Sequence, residues 1–329
     1  MKLLVAGGAG YLGSVLIPKL LERDYEVDVV DLFWFGNHLP LEARIIHKDL
    51  FQLTVQDLKA YEQVIFLAGL SNDPMAEYSP SQNFIFNAAA PAYLAYIAKK
   101  ARVRRFIHAC SCSVYGYTEN ELCDETRPVA SSHPYGISKL QGEQAVMHLI
   151  DDEFSVISLR KGTISGYGPR MRLDLIINAM FKSVMKTRTI TVSNPSIWRP
   201  ILSIEDAATA YIRAVETERK TSGIFNIASG NYTVGEVGDL VKSAVAERIG
   251  FEPKLCIKHL DEFRNYKVNT EKAANVLSFH PSGTVSSIVN NLIDHLPRFQ
   301  DWDNPLYSNI LTFQKQSEET KGYASAGAA

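Results

Sequence analysis

Short apolar runs separated by helical patterns dominate the first half of the chain. KLLVAGG (2–8), EVDVVD (26–31), ARIIHKD (43–49), QVIFLAG (63–69), RFIHACS (105–111) and FSVISLR (154–160) are rich in Val, Ile and Phe and mostly apolar on both faces. Such runs predict strands covered by helices on both sides. Between them, Leu12, Leu16 and Leu20 mark one helical stripe, and residues 81–101 and 135–150 predict two longer helices. Pro18 and Pro91 fall inside two of these helices and predict kinks or true boundaries there. The alternation predicts an α/β fold built on a doubly wound parallel sheet.

After residue 165 the pattern loosens. GYGPRMR (166–172) reads as a loop, 173–187 as a helix, and ITVSNPSIWRPILSI (190–204) as irregular chain with short strands. EDAATAYIRAVE (205–216) predicts a helix and GIFNIAS (223–229) a strand, both suited to rejoining the sheet. Helices over 233–248 and 284–296 predict a smaller C-terminal α+β lobe. The expected division is residues 1–165 plus about 200–230 for the sheet domain, with about 166–199 and 231–313 for the lobe. Residues 314–329 predict a disordered tail.

Composition adds exclusions. With 329 residues, 46% hydrophobic, 21% charged and a net charge of −2, the chain lacks a general field for nucleic acid or an anionic membrane. An anionic ligand must then be held by local donors. The four cysteines form no Cys-x-x-Cys pair and no histidine cluster accompanies them, so no metal site is expected. No stretch at the N-terminus resembles a signal peptide or a membrane span, and a cytoplasmic location is expected.

The first strand runs into GGAGYLG, which opens the first helix and carries Gly7, Gly8, Gly10, Tyr11, Leu12 and Gly13. Glycines here allow a tight turn, close approach of a pyrophosphate to the backbone, and packing of helix on sheet. The helix N-terminus then presents free N–H groups to phosphates. Asp31 ends the second strand 18 residues after Gly13. A carboxylate there accepts hydrogen bonds from a ribose diol and repels a 2′-phosphate. No arginine follows in DLFWFGNH, so NAD is expected rather than NADP. Asp49 and Leu50, ending the third strand, suit either an adenine wall or a plain turn. Together these features predict a Rossmann domain.

Tyr135 and Lys139, four apart in YGISK, share a helix face. A free phenol titrates near about 10, and a neighbouring ammonium lowers that value. The phenolate then takes a proton from an alcohol while hydride leaves the same carbon, and the lysine can also hold the nicotinamide ribose. Ser111, opening SCSVYG at the carboxyl edge of the sheet, can hydrogen-bond the same oxygen.

The ordered set GGAGYLG, Asp31, FLAGLS, Asn87, SCSVYG, YGISK, LRKGTISGYGPR, WRPILSIEDAATA and FNIASGNYTVGEV resembles the extended short-chain dehydrogenase/reductases that act on nucleotide sugars, over roughly residues 1–300. The resemblance implies NAD on the large domain, with Leu67, Ala68, Gly69 and Asn87 beside it. It implies a nucleoside-diphosphate sugar in the lobe, and Ser111, Tyr135 and Lys139 as the catalytic set. Arg199 takes the place of the arginine that grips the diphosphate, and Arg264 that of a second. A homodimer is also implied, through the helices at 81–101 and 135–150 packed as a four-helix bundle.

Departures from the family pattern narrow the chemistry. The 4,6-dehydratases carry Asp or Ser where Cys112 stands and Glu where Ser113 stands, and elimination needs both an acid and a base. The 3,5-epimerase/4-reductases carry a cysteine where Ser113 stands. Hydride transfer at one sugar carbon remains, expected as 4-epimerisation, or as 4-dehydrogenation or reduction. Thr163 replaces an asparagine that touches the nucleotide sugar. Ser71 and Asp73, in SNDP after the fourth strand, suit a sugar contact, an unusual acid, or an Asx-Pro turn. Arg170 and Arg172 read as rim charges.

Overall fold

The computed structural model describes residues 1–129, 131–260 and 264–315. Residues 314 and 315 are helical, and the rest of the expected tail lies outside the described residues. Among these residues the strands run in chain order as β1 (Lys2–Ala6), β2 (Glu26–Asp31), β3 (Arg44–His47), β4 (Gln63–Phe66), β5 (Arg105–Ser111), β6 (Tyr117–Cys123) and β7 (Ser155–Lys161). They continue as β8 (Thr163–Ser165), β9 (Thr189–Ser193), β10 (Trp198–Ser203), β11 (Gly223–Ile227), β12 (Gly230–Thr233), β13 (Lys254–Lys258) and β14 (Asn265–Val268).

The main sheet has the order β11-β7-β5-β4-β1-β2-β3, with every pair parallel. Strand order reverses between β1 and β4, which opens a crevice at their carboxyl ends where ligands bind in such sheets. Alternate residues of each strand enter two cores. Leu3, Val5, Ile65, Ile107 and Ile157 pack under the helices Gly13–Leu21 and Ile204–Glu216. Leu4, Ala6, Phe66, Phe106 and Val156 pack under Ala90–Lys100. Two-sided burial explains the unbroken apolar runs. The exception is β3, an edge strand whose Arg44, Ile45 and His47 are exposed.

Pro91 does not break its helix. Helical turns over Pro80–Phe84 pass through a π-turn, Ile85–Ala89, into Ala90–Lys100. Proline offers no N–H to the carbonyl of Asn87, and the widened turn absorbs the mismatch. That carbonyl faces the helix Pro134–Met147, where a Cβ on Gly142 would lie 2.2 Å from it. Gly142 therefore lets the helix bearing Tyr135 and Lys139 settle close. Pro18 likewise lies within Gly13–Leu21 without ending it.

The second half adds β12-β10-β8 and β13-β9 beside a separate core that includes Phe181, Val237, Val241, Ile288 and Phe299, while the β14-β6 pair buries Cys123, Tyr266 and Val268 against Cys112 and Tyr115. The β14–β6 ladder is unexpected from sequence, because β6 is polar and largely exposed. Asn265 N donates to Gly116 O at 3.1 Å there. The ladder thereby brings Arg264 back to the sheet's carboxyl edge. Among the described residues no helix is long and apolar enough to cross a membrane.

Candidate active site

A cavity of about 670 Å³ lies in the crevice at the ends of β1, β2 and β4. Gly7 forms its floor with φ +77, and a Cβ there would strike Ala68 N at 2.3 Å. Gly10, Leu67, Ala68 and Gly69 also line it. Asp31 accepts from Ala9 N at 2.9 Å and Phe33 N at 2.8 Å. Burial pushes its carboxyl above the usual value, and the Phe33 and Ala9 N–H groups oppose that. A carboxylate has about four acceptor sites, so Asp31 retains capacity for a diol. Asp49 caps the turn Leu50–Gln52 through Phe51 N at 2.9 Å and also lines the cavity with Leu50. The turn reading is therefore seen in the fold, and the pair also stands at the cavity wall. Leu12 and Gly13 face inward instead: Leu12 is core, and Gly13 abuts the Gly8 carbonyl.

Beside this cavity stands the proton-handling set. Ser111 ends β5 in extended conformation, its Oγ accepting from Ser113 N at 3.2 Å and Ser113 Oγ at 2.9 Å. Tyr135 occupies the first turn of Pro134–Met147, started by Pro134, and lines the same cavity wall as Ser111, whose side chain acts on its phenol. Lys139, one turn on, lies 5.9 Å from the Tyr135 ring centre and donates to Ala109 O at 3.2 Å. A Cβ on Gly69 would come within 2.5 Å of Asn87 Oδ1 and 3.2 Å of Lys139 Nζ. Gly69 thus holds open the seam between the first cavity and the lysine. Asn87 donates to Leu70 O and Asn83 Oδ1, both at 2.8 Å, while its own Oδ1 is buried without a partner. An orphaned acceptor at this seam fits a donor brought by a bound dinucleotide.

The electrostatics differ from the expectation that Lys139 lowers the phenol. Burial, followed by the charge of Asp73, pushes Tyr135 above its ordinary value, and the Ser111 hydrogen bond only opposes this. Burial also lowers Lys139 to about 8. Burial and Asp73 by themselves thus favour the protonated phenol.

A second cavity, about 1210 Å³, is lined by Ser71, Asp73, Ser111, Ser113, Tyr135, Thr163, Arg199 and Arg264. The β10–β8 pairing sets Ile201 beside Thr163, which brings the Arg199 strand to this wall. Arg199 donates to Trp198 O at 2.9 Å and Arg264 O at 2.5 Å, and Arg264 is ion-paired with Asp73. Tyr11 lines this cavity rather than the first. It donates to Gly166 O at 2.5 Å and accepts from Asn178 Nδ2 at 3.1 Å.

Arg170 and Arg172 are not rim charges, being 2% and 5% exposed. Arg172 grips Asp174 through two bonds of 2.9 and 2.8 Å, and Arg170 donates to Asn309 and stacks 3.9 Å from the Phe35 ring centre. The returning segment at Asn309 covers them, a contact invisible to local sequence. Cys112 opens the turn Cys112–Tyr115, its thiol donating to Arg160 O at 3.1 Å, and burial pushes it well up. It carries no proton for the cavity.

The chain matches the NAD dependent epimerase/dehydratase family over residues 3–228. It belongs to that family. It is therefore an NAD-dependent enzyme of the extended short-chain dehydrogenase/reductase type. The chain is 25% identical to UDP-glucose 4-epimerase of Corynebacterium glutamicum over 304 residues, spanning 86% of this chain and 92% of the relative. It is 26% identical to UDP-glucuronic acid decarboxylase 5 of Arabidopsis thaliana over 299 residues, 85% of each. Among solved structures, MoeE5 in complex with UDP-glucuronic acid and NAD superposes with TM-score 0.80 at 25% identity, over 91% of this chain and 99% of that one.

Within this epimerase/dehydratase frame two features escaped the sequence reading. Trp34, Phe35 and Phe86 wall the dinucleotide cavity, with Trp34 edge-on to Phe86 at 5.2 Å. The signal was present in FWF (33–35), one residue beyond Asp31, where a strand has ended and core packing no longer accounts for three aromatics. Lys161 also lines the second cavity, at the end of β7 and register-paired with Ser111. Among the described residues its ammonium has neither carboxylate nor carbonyl partner and lies 5.7 Å from the Tyr211 ring centre. Burial, then Lys139, lowers it to about 7. Nothing in its strand pattern marks it.

Proposed function

We propose that this enzyme moves hydride at C4 of a nucleoside-diphosphate hexose and acts as a 4-epimerase. The observation carrying this reading is that Ser111, Tyr135 and Lys139 meet at the seam of two cavities where Ser113 and a buried Cys112 supply no acid. Bound NAD supplies the hydride acceptor and a positive charge beside the phenol. Ser111 Oγ orients the C4 oxygen. Tyr135 Oη takes the C4 hydroxyl proton as the carbon is oxidised and returns it when the ketone is reduced. The positive charges of Lys139 and the cofactor favour the phenolate that burial alone disfavours. Return of hydride to the opposite face requires the ketosugar to turn within the cavity.

In this reading Asp31 holds the adenosine ribose. Asp49 and Leu50 wall the adenine, Gly7, Gly10 and Gly13 shape the pyrophosphate turn, and Leu67 to Gly69 with Asn87 flank the nicotinamide half. Arg199 and Arg264 grip the diphosphate, while Ser71, Asp73, Ser113 and Thr163 meet the sugar. The lobe of about 166–199 and 231–313 then holds the nucleotide. The free thiols, with Cys110, Cys112 and Cys123 buried, support a reducing, cytoplasmic setting. A homodimer through the helical runs 81–101 and 135–150 is supported by exposed Ile85, Ala89 and Tyr96 on the first of them. Light scattering that reports a monomer removes that inference.

Incubation with UDP-, GDP-, dTDP- and CDP-hexoses tests the activity. One C4 pair interconverts without net NADH. A ketosugar accumulating with stoichiometric NADH makes the enzyme a 4-dehydrogenase instead, and solvent deuterium entering at C5 refutes both.

A further inference from the structure

The cavity contains an ion pair that the proposed chemistry does not use. Asp73, the first residue of the helix Asp73–Tyr78, is 8% exposed and pairs through Oδ2 with Arg264, while its Oδ1 is buried with no partner. Among the described residues the carboxylate is thus held by one cation, with one oxygen buried and unpaired, and the residue lines the same cavity. Its charge reaches Tyr135, so it lies towards the reacting end of the site. Arg264 in turn is fixed beside Arg199, whose guanidinium donates to the Arg264 carbonyl.

This arrangement constrains any diphosphate that enters. Phosphate oxygens seeking Arg199 and Arg264 meet a cation already engaged by a buried anion. The buried Asp73 carboxylate repels the incoming anion, so the diphosphate gains most when Arg264 turns from Asp73 to it. Once Arg264 leaves, Asp73 is a buried carboxylate with both oxygens unpaired and requires a new donor. A sugar hydroxyl supplies it. A bare nucleoside diphosphate does not.

Resting on the nucleotide-sugar reading above, we propose that Asp73 occupies the place of the diphosphate on Arg264 until substrate arrives, and then accepts a sugar hydroxyl. The exchange makes Asp73 a specificity-determining residue, penalising diphosphates that lack the sugar. It favours whole substrate over the free nucleotide by coupling two binding events through one arginine.

The test uses the full chain saturated with NAD and titrates UDP, GDP, dTDP and CDP, each without sugar, by calorimetry. Asp73→Asn keeps the shape and removes the competing charge. It is expected to tighten the preferred diphosphate by roughly tenfold, while the preference for the sugar-bearing nucleotide over that diphosphate falls by about as much. In an Arg264→Gln background the gain is expected to vanish, since the contested cation is gone. Asp73→Ser serves if the asparagine variant folds poorly. If the wild type binds a diphosphate and neither Asp73 variant binds it more tightly, this inference is overturned and the nucleotide-sugar reading stands. If neither the wild type nor Asp73→Asn binds any of the four, both fall.

Discussion

Lys161→Met should stabilise the ligand-free protein at neutral pH and lose that advantage as pH rises. The ammonium of Lys161 lines the reaction cavity with no anionic partner among the described residues, and its value falls from 10.5 to about 7. Burial is the main cause, Lys139 the second, and Cys110 and Cys112 oppose. The unfolded chain therefore binds more protons than the folded one between about pH 7 and 10.5. Stability in that window must rise with pH. A shift of roughly 3.5 units at about 1.4 kcal/mol each sets a ceiling near 5 kcal/mol. The cavity is open, so solvent screens part of this and about 1–3 kcal/mol is expected. Methionine keeps the apolar stem against Tyr211 without the charge. Urea unfolding of both proteins, without NAD, is measured at pH 6.5, 8 and 9.5. The variant should be more stable at pH 6.5, with the gap shrinking by more than half at pH 9.5. A gap of constant size, or a variant less stable throughout, refutes the view that Lys161 is an uncompensated buried charge.

Three further outcomes follow from the geometry. Tyr135→Phe removes the proton carrier while leaving the ring, so kcat should fall by roughly 10²–10⁴-fold with NAD affinity nearly unchanged in a fluorescence titration. Asp31→Asn leaves the backbone bonds in place but removes the charged acceptor, and NAD binding should weaken by about ten- to a hundredfold, with the NAD:NADP preference narrowing in steady-state kinetics. Gly142→Val places side-chain atoms where the Asn87 carbonyl approaches, a Cβ there lying 2.2 Å away, and should cost about 1–3 kcal/mol in denaturant unfolding together with activity. An active, fully stable Gly142→Val protein would mean that close contact between these helices does not position Tyr135.

The local chain was enough to define the sheet and its nucleotide end. Strands buried on both faces must be apolar throughout, so β1, β2, β4, β5 and β7 announce themselves. The turn at Gly7, the acid ending β2 and the four-residue spacing of Tyr135 and Lys139 are local geometry, readable from neighbours alone. Long-range closure decided the rest. β6 is polar because it lies at the surface, and only its pairing with β14, more than a hundred residues later, carries Arg264 to Asp73. Arg170 and Arg172 look solvated in sequence and become buried because Asn309 and Asp174 fold over them. The phenol's acidity reversed for the same reason. Spacing told which ammonium stands near Tyr135, but desolvation and the charge of Asp73 depend on everything packed around the ring. Periodicity reports which face of an element is buried; which charges meet there is set when distant segments close the cavity.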